Sequence, residues 1–434
     1  MIRRVSIQDY KSLRDVEIYL QPLTVIFGPN AAGKSNLLDA LALLSRMVTS
    51  RTIKEAFEGH RGTSLEAFRY ESTGIKGLLQ KERARFSIEV DVELSAPVVE
   101  EVERRIHEMR KGLPNGESEE TTKPRRRILE PFLRYRVVVE TVPQSGVLRV
   151  LDEKLVALTS DGQEKDPHAR KPFIYPADGR LRLRMEGQAR PTEHPIGLDY
   201  TLVSQPLYPP HYPHVTAFRE ELARWRFYYF EPRVMRQPSP IKETDSLGPF
   251  GEDLAAFYHT LRTKNRQQFE AASRALNSLI PAIERIDVQL TPDGFVELSV
   301  VEDSILYSAR VISEGTLRLL GLLAVTNPLS PATLVGYEEP ENGVHPRRLR
   351  LIADLLKETV SRSGVQIIVN THSPIFPEYF EDEMLIVCRK GPEGTRFERF
   401  SSAGPLFRKT EIAEGLSEEV SPLWTRIVRG DWDG

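Results

Sequence analysis

The chain has 434 residues, 40% of them hydrophobic and 28% charged, which is enough for two to four structural units with a sizeable core. Its formal charge of −3 excludes a global attraction to nucleic acid, so any such contact must come from a local patch. The single cysteine, Cys388, excludes an intramolecular disulfide and any cysteine-cluster zinc or iron–sulfur site. No apolar stretch has the length of a membrane span, and the chain reads as soluble and cytoplasmic.

Val5 and Ile7, then Val16, Ile18 and Leu20, alternate around the polar residues 11–15, and this predicts a hairpin rather than a signal peptide. The apolar run Leu23-Thr24-Val25-Ile26-Phe27 follows. It feeds the string Gly28-Pro29-Asn30-Ala31-Ala32-Gly33-Lys34-Ser35, after which Leu37, Leu38, Leu41 and Leu44 fall at helical spacing. G-x-x-x-x-G-K-S between a strand and a helix is a P-loop. Its backbone N–H groups and the positive helix end aim at one point, as a triphosphate requires. Gly28 and Gly33 permit positive φ and close approach, Lys34 reaches the β/γ-phosphates, and the Ser35 hydroxyl suits Mg²⁺.

Beyond the P-loop helix the period changes. Phe86, Ile88, Val90, Val92 and Leu94 predict a strand, residues 135–140 and 147–158 predict more of an antiparallel sheet, and Val98, Val99, Val102, Ile106 and Met109 predict a charged helix between them. Residues 114–127 are polar and expected to be mobile. Residues 160–215 have weak periodicity apart from an Arg180-Leu181-Arg182-Leu183-Arg184 strand. Order returns with Phe227-Tyr228-Tyr229-Phe230, helices over 251–262 and 267–279, and strands over 286–290 and 295–301. From Ser313 the chain alternates helix (317–325), strand (333–337), helix (346–359) and strand (365–370), a βαβ pattern that implies a parallel sheet. Cys388 ends the run Leu385-Ile386-Val387 and reads as a buried strand residue.

Two of these strands end in chemistry. Leu334-Val335-Gly336-Tyr337 runs into Glu338-Glu339, and the next strand runs into Thr371-His372-Ser373 before Pro374 stops it. Ligands of parallel α/β sheets lie at the carboxyl ends of strands, where one carboxylate can hold hydrated Mg²⁺ and another can take a proton from an attacking water. Glu341 is a second nearby acid, with Glu339 preferred as the base. His372 falls beside the same phosphates.

Four motifs in order, residues 28–36, Ile312-Ser313-Glu314-Gly315-Thr316, Glu338-Glu339-Pro340-Glu341-Asn342-Gly343-Val344-His345-Pro346 and Thr371-His372-Ser373-Pro374, resemble those of ABC-class ATPases of the SMC/RecF/OLD type. The resemblance covers the first fifty residues and about 225–390. It implies an α/β P-loop NTPase fold, an ABC-type ATPase head with a mixed or parallel sheet, helices, an antiparallel β lobe and an inserted accessory lobe. The expected divisions are 1–95 (head with P-loop), 96–225 (accessory lobe) and 226–434 (head with the remaining motifs).

On the same resemblance Ser313, Glu314 and Gly315 belong to a signature that meets the γ-phosphate held by another subunit. Gly28, Asn30, Gly33, Lys34, Ser35 and Asn36 bind the nucleotide, and Ser35 and Glu338 serve Mg²⁺. Glu339 is the catalytic glutamate and His372 the switch histidine. The Walker B acid is Glu338 where Asp is commoner, and no Q-loop glutamine is assigned, Gln80 being a candidate that no pattern supports. One P-loop and one signature per chain imply a homodimer, or a pairing with a related subunit, with ATP sandwiched between heads. Apart from the resemblance, Ser313 is a good N-cap for the helix that follows it, and Gly315 permits close approach of that helix end to a phosphate.

The middle of the chain lacks long heptads, which argues against an SMC arm. About sixty residues follow His372, too few for the TOPRIM nuclease domain of OLD-type proteins, so a separately encoded effector such as a nuclease is expected. The leading reading is a nucleotide-gated ATPase dimer in DNA repair or maintenance, or in defence against phage or plasmid DNA. The rival is a DNA-independent, ATP-switched scaffold or regulator of a partner protein, with a transporter ATPase third. Candidate DNA contacts are Lys123, Arg125, Arg126 and Arg127, with Arg180, Arg182 and Arg184. Their alternative is a solvated loop and strand face, the first cluster being diluted by Glu117, Glu119 and Glu120.

Overall fold

The computed structural model describes residues 1–71, 73–111, 127–188, 190–391 and 394–400. The segment expected to be mobile lies outside these apart from Arg127, and so do Lys123, Arg125 and Arg126. The chain divides into two compact units. One comprises Met1–Leu20, Ser35–Trp225 and Lys390–Phe397, and the other Gln21–Lys34, Arg226–Arg389 and the residues from Glu398 on.

β1 (Ile2–Tyr10) and β2 (Leu13–Tyr19) form the predicted hairpin and are followed by β3 (Leu23–Phe27) and α1 (Lys34–Met47). Next come α2 (Ile53–Glu58), α3 (Gly74–Gln80), β4 (Ala84–Glu93), α4 (Ala96–Lys111), β5 (Phe132–Val142), β6 (Val147–Ala157), β7 (Ile174–Ala177), β8 (Arg180–Leu183), β9 (Thr192–Pro195) and α5 (Pro213–Ala223). The rest of the chain supplies β10 (Trp225–Tyr228), α6 (Pro232–Met235), β11 (Ser239–Pro240), α7 (Leu254–Lys264), α8 (Arg266–Leu279), β12 (Ile283–Leu290), β13 (Phe295–Glu302) and β14 (Ile305–Ser308). It ends with α9 (Glu314–Val325), β15 (Leu334–Glu338), α10 (Leu349–Ser363), β16 (Gln366–Thr371), β17 (Leu385–Gly391) and β18 (Gly394–Arg399).

In the first unit, one sheet runs β2-β1-β4-β5-β6-β7-β8-β9 and is antiparallel throughout. It continues through residues on both sides of position 95, because β4 pairs with β5 along ten positions. α4 buries Val98, Val102 and Ile106, a stripe at four-residue spacing, and leaves its charged face to solvent.

The second unit holds a sheet in the order β10-β15-β16-β3-β17-β18, in which β15, β16, β3 and β17 are mutually parallel. Every residue of β3, β15 and β16 is buried, the condition of a parallel strand covered on both faces and the reason these segments read as unbroken apolar runs. Leu23, Val25, Phe27, Val335, Tyr337, Ile367 and Val369 share one apolar core with α7, α8 and α9. A smaller antiparallel sheet, β11-β13-β12 with β14 on β13, completes the unit. Among the described residues no helix is long and apolar enough to cross a membrane.

Candidate functional site

Parallel register brings three strand ends level. Glu338 stands beside Asn370, Asn370 beside Ile26, and Thr371 beside Phe27. The Glu339 N–H donates to the Asn370 carbonyl at 2.8 Å, so the chain leaves β15 anchored to β16. At the end of β3 the backbone turns with positive φ at Gly28 (148°), Ala31 (61°) and Gly33 (108°). Gly28 cannot be anything larger, since a Cβ there would lie 2.1 Å from the Cys388 carbonyl oxygen of β17.

Lys34 opens α1 and is buried, its ammonium donating to the carbonyls of Gly28 (2.8 Å) and Pro29 (2.9 Å). Burial pushes its pKa down, opposed by Cys388 and by Glu339, Glu341 and Glu338. A buried cation whose hydrogen bonds among the described residues go to neutral carbonyls, in the field of three acids, is poised to exchange those carbonyls for anionic oxygens. Asn30 is exposed in the turn and Ser35 follows Lys34 half-buried. Asn36, expected among the nucleotide contacts, donates its amide N–H to Ser12 Oγ at 2.8 Å.

The acids differ in environment. Glu338 is buried at the end of β15. Glu339 has φ 51°, an unusual conformation for a non-glycine residue, and its side chain is 29% exposed. Its Oε1 lies 2.9 Å from His372 Nδ1, and its Oε2 accepts from the Asn342 amide. Glu341 is buried, its Oε1 accepts from the Thr371 hydroxyl, and burial pushes its carboxyl pKa up. Glu339 is therefore the acid with solvent access and a histidine partner. Asn342, which grips its second oxygen, lies inside the Glu338–Pro346 motif, but the sequence assigns it no task.

Ser313 caps α9, its Oγ accepting from the Thr316 N–H at 3.1 Å. Glu314 is 63% exposed and reaches Arg236 at 3.9 Å. Gly315 has a tighter neighbour than the sequence suggested: a Cβ at this position would lie 2.1 Å from the Gly343 carbonyl oxygen. Its close approach in this structure is therefore to the loop after Glu339 in the same chain.

The candidate DNA contacts of β8 are engaged within their own unit. Arg182 pairs with Asp178 at 2.7 Å and Glu193 at 3.3 Å, Arg180 approaches Glu193 at 3.9 Å, and Arg184 donates to the carbonyls of Pro172 and Lys171. The Arg127 backbone N–H donates to Glu103. Cys388 is buried as expected, and burial pushes its thiol up to about 12, which makes it unreactive.

Among the described residues no three or more His, Cys, Asp or Glu side chains are grouped to hold a metal alone. Magnesium carried with a nucleotide needs less, one or two protein oxygens completed by waters and phosphate oxygens. The Ser35 hydroxyl and the Glu338 carboxylate are hard donors of that kind. The amide of Asn370, buried next to Glu338 in register, has no partner among the described residues for either polar atom and fits a site that water or ligand completes.

A family model described as "AAA domain, putative AbiEii toxin, Type IV TA system" matches residues 23–100 and 172–376, well over half of the chain. Over 92 residues the chain is 28% identical to the DNA replication and repair protein RecF of Natranaerobius thermophilus, covering 20% of this chain and 22% of that protein. Over 44 residues it is 41% identical to the OLD nuclease of Thermus scotoductus, covering 10% of this chain and 8% of that protein. The matches thus span less than a quarter of either relative. Among solved structures, an Smc head bound to the C-winged helix domain of ScpA superposes with a TM-score of 0.51 at 15% identity, covering 92% of this chain and 97% of that one. An Smc head domain with an extended coiled coil, bound to the C-terminal domain of ScpA from Pyrococcus furiosus, gives 0.50 at 13% identity, covering 92% and 95%. At such identities the likeness is one of fold.

Proposed function

This chain belongs to the family described as "AAA domain, putative AbiEii toxin, Type IV TA system", and from that membership we propose that it hydrolyses Mg²⁺-bound ATP to ADP and phosphate as a nucleotide-gated homodimer. It is an ABC-type P-loop ATPase of the SMC/RecF/OLD type, with the fold of an SMC head. The observation that carries the catalytic reading is the meeting of Lys34, Glu338, Glu339 and His372 within one unit, three of them at the carboxyl ends of neighbouring parallel strands.

Each residue has a task that its surroundings support. The Lys34 ammonium leaves the carbonyls of Gly28 and Pro29 for phosphate oxygens, backed by N–H groups of the loop from Gly28 to Ser35, with Asn30 at its rim. Ser35 and Glu338 would serve the hydrated Mg²⁺, which would supply charge neutralisation at the phosphates. Glu339 takes a proton from the water that attacks the γ-phosphorus as the bond to the bridging oxygen breaks and ADP leaves. His372 and Asn342 hold the two oxygens of that carboxylate in line. Ser313, Glu314 and Gly315, at the capped N-terminus of α9, meet the nucleotide held by a second copy, so that ATP closes the dimer and hydrolysis releases it.

The cellular role proposed is DNA repair or maintenance, or defence against phage or plasmid DNA, in the cytoplasm and with a separately encoded effector. The names of RecF, the OLD nuclease and the toxin–antitoxin family support that direction. The DNA-independent switch is kept as a second reading because Arg180, Arg182 and Arg184 are already committed to acids and carbonyls. ATPase assays with and without DNA at low salt separate the two. Stimulation that fades as salt rises is expected for the first, and no stimulation with no salt-sensitive binding removes it.

A further inference from the structure

A buried amide with nothing to bond lies on the same face of the parallel sheet as Glu338. Strand alternation sends Val335 and Tyr337, Ile367 and Val369, and Val25 and Phe27 into the apolar core, which leaves Glu338, Asn370 and Ile26 side by side on the opposite face. Asn370 is 2% exposed, and among the described residues neither its Oδ1 nor its Nδ2 has a hydrogen-bond partner. Its neighbours on that face, Ile26 and Ile368, are fully buried and apolar. An amide left unsatisfied in such surroundings destabilises the fold, whereas a leucine of nearly the same shape would not. A carboxamide also offers what a hydrated cation and its phosphates present in return, an acceptor for water protons and a donor for anionic oxygens.

We infer that Asn370 is a further binding residue for the hydrated divalent cation of the metal–nucleotide complex, alongside Glu338. The inference rests on the nucleotide-binding reading of the site. It assigns Asn370 to the metal rather than to the nucleotide alone, so removing its amide raises the Mg²⁺ requirement and leaves metal-free nucleotide binding as it was.

The test uses the full chain, a fluorescent non-hydrolysable ATP analogue at fixed concentration, and titration with Mg²⁺ from a chelated baseline. For Asn370→Leu the Mg²⁺ concentration at half-saturation is expected to rise about tenfold or more, binding in chelator to stay unchanged, and the melting midpoint of nucleotide-free protein to equal or exceed that of the parent. Asn370→Asp, which keeps an oxygen toward the cation, is expected at or below the parent's Mg²⁺ requirement. A parental Mg²⁺ requirement in Asn370→Leu overturns the inference while the site reading stands. So does an Asn370→Asp variant shifted as far as the leucine, or an Asn370→Leu protein that melts lower with unaltered Mg²⁺ dependence, which marks a structural amide. A parent chain that binds no analogue at any Mg²⁺ concentration overturns the site reading itself, and this inference with it.

Discussion

Two sets of buried polar groups, one in each unit, are treated in opposite ways. In the first, the fully buried carboxylate of Glu153 accepts from the N–H groups of Leu202 and Val203 and from the Tyr135 hydroxyl. Buried His214 lies 2.8 Å from Glu186 through Nδ1 and accepts two backbone N–H groups at Nε2. In the second, at the ends of β15 and β16, neither amide atom of Asn370 and only one oxygen of Glu341 finds a partner among the described residues, and Glu339 sits at positive φ. Groups of the first kind hold strands and loops together, and groups of the second kind are arranged for something that arrives. A substitution in the first set should therefore lower stability and spare nucleotide binding, and one in the second should do the reverse.

The largest expected effect tests the second half of that contrast. Lys34→Ala should weaken ATP binding by about a hundredfold or more, read by calorimetry, with a melting midpoint close to the parent's. Glu339→Gln should bind ATP normally and lose about 10²–10⁴-fold in turnover. A Glu339→Gln protein that hydrolyses ATP at the parental rate would transfer the base role away from Glu339.

Next in size is the converse. Glu153→Ala leaves three donors without an acceptor and should cost about 3 kcal/mol in chemical denaturation, with ATP affinity retained. Burial raises the Glu153 pKa to about 7 from an ordinary 4.5, so between those values the folded chain holds a proton that the unfolded chain has released. Stability should accordingly be highest below the lower value and fall as pH rises to 7, by about 3 kcal/mol from this group alone. Glu153→Gln should flatten that fall. An unchanged pH profile would mean that the carboxylate is not buried in the way described.

What was readable in the sequence follows the same physics. β3, β15 and β16 are apolar runs because both their faces are covered, β3 runs straight into the glycine-rich turn, and β15 and β16 end in polar residues, so strand and site were visible together. β7, β8 and β9 have four residues each, too few for a period, and exist through pairing with one another and with β6, which leaves most of residues 160–215 opaque to local pattern. Asn342 lay inside a motif whose pattern assigned it no task. Asn370 did leave a signal, an amide near the end of Gln366-Ile367-Ile368-Val369, and register with Glu338 is what gives it meaning. Gly315 was read as room for a phosphate, and its tight contact with Gly343 could not be foreseen from either motif alone.

That contact sharpens the contrast by joining stability to function at one point. Gly315→Ala drives a methyl group into the Gly343 carbonyl and should cost about 1–3 kcal/mol, while disturbing the loop that carries Asn342. Asn342→Ala, which removes only the amide at Glu339 Oε2, should lower kcat about tenfold with KM nearly unchanged. If Gly315→Ala loses stability but keeps full turnover, the loop and the signature helix are packed together without being coupled.

The smallest effect is expected at Arg182, and it bears on the choice between the two functional readings. Its guanidinium is shared between Asp178 and Glu193 on a strand at 26% side-chain exposure, so its charge is already matched inside the first unit. An ion pair of that exposure contributes about 0–1 kcal/mol, and Arg182→Ala should shift the melting midpoint little. DNA affinity at low salt, if the chain has any, should be unaltered. Loss of salt-sensitive DNA binding in Arg182→Ala would show that a phosphate backbone can outcompete Asp178 and Glu193 for this arginine, and would shift weight from the scaffold reading back to the DNA-acting one.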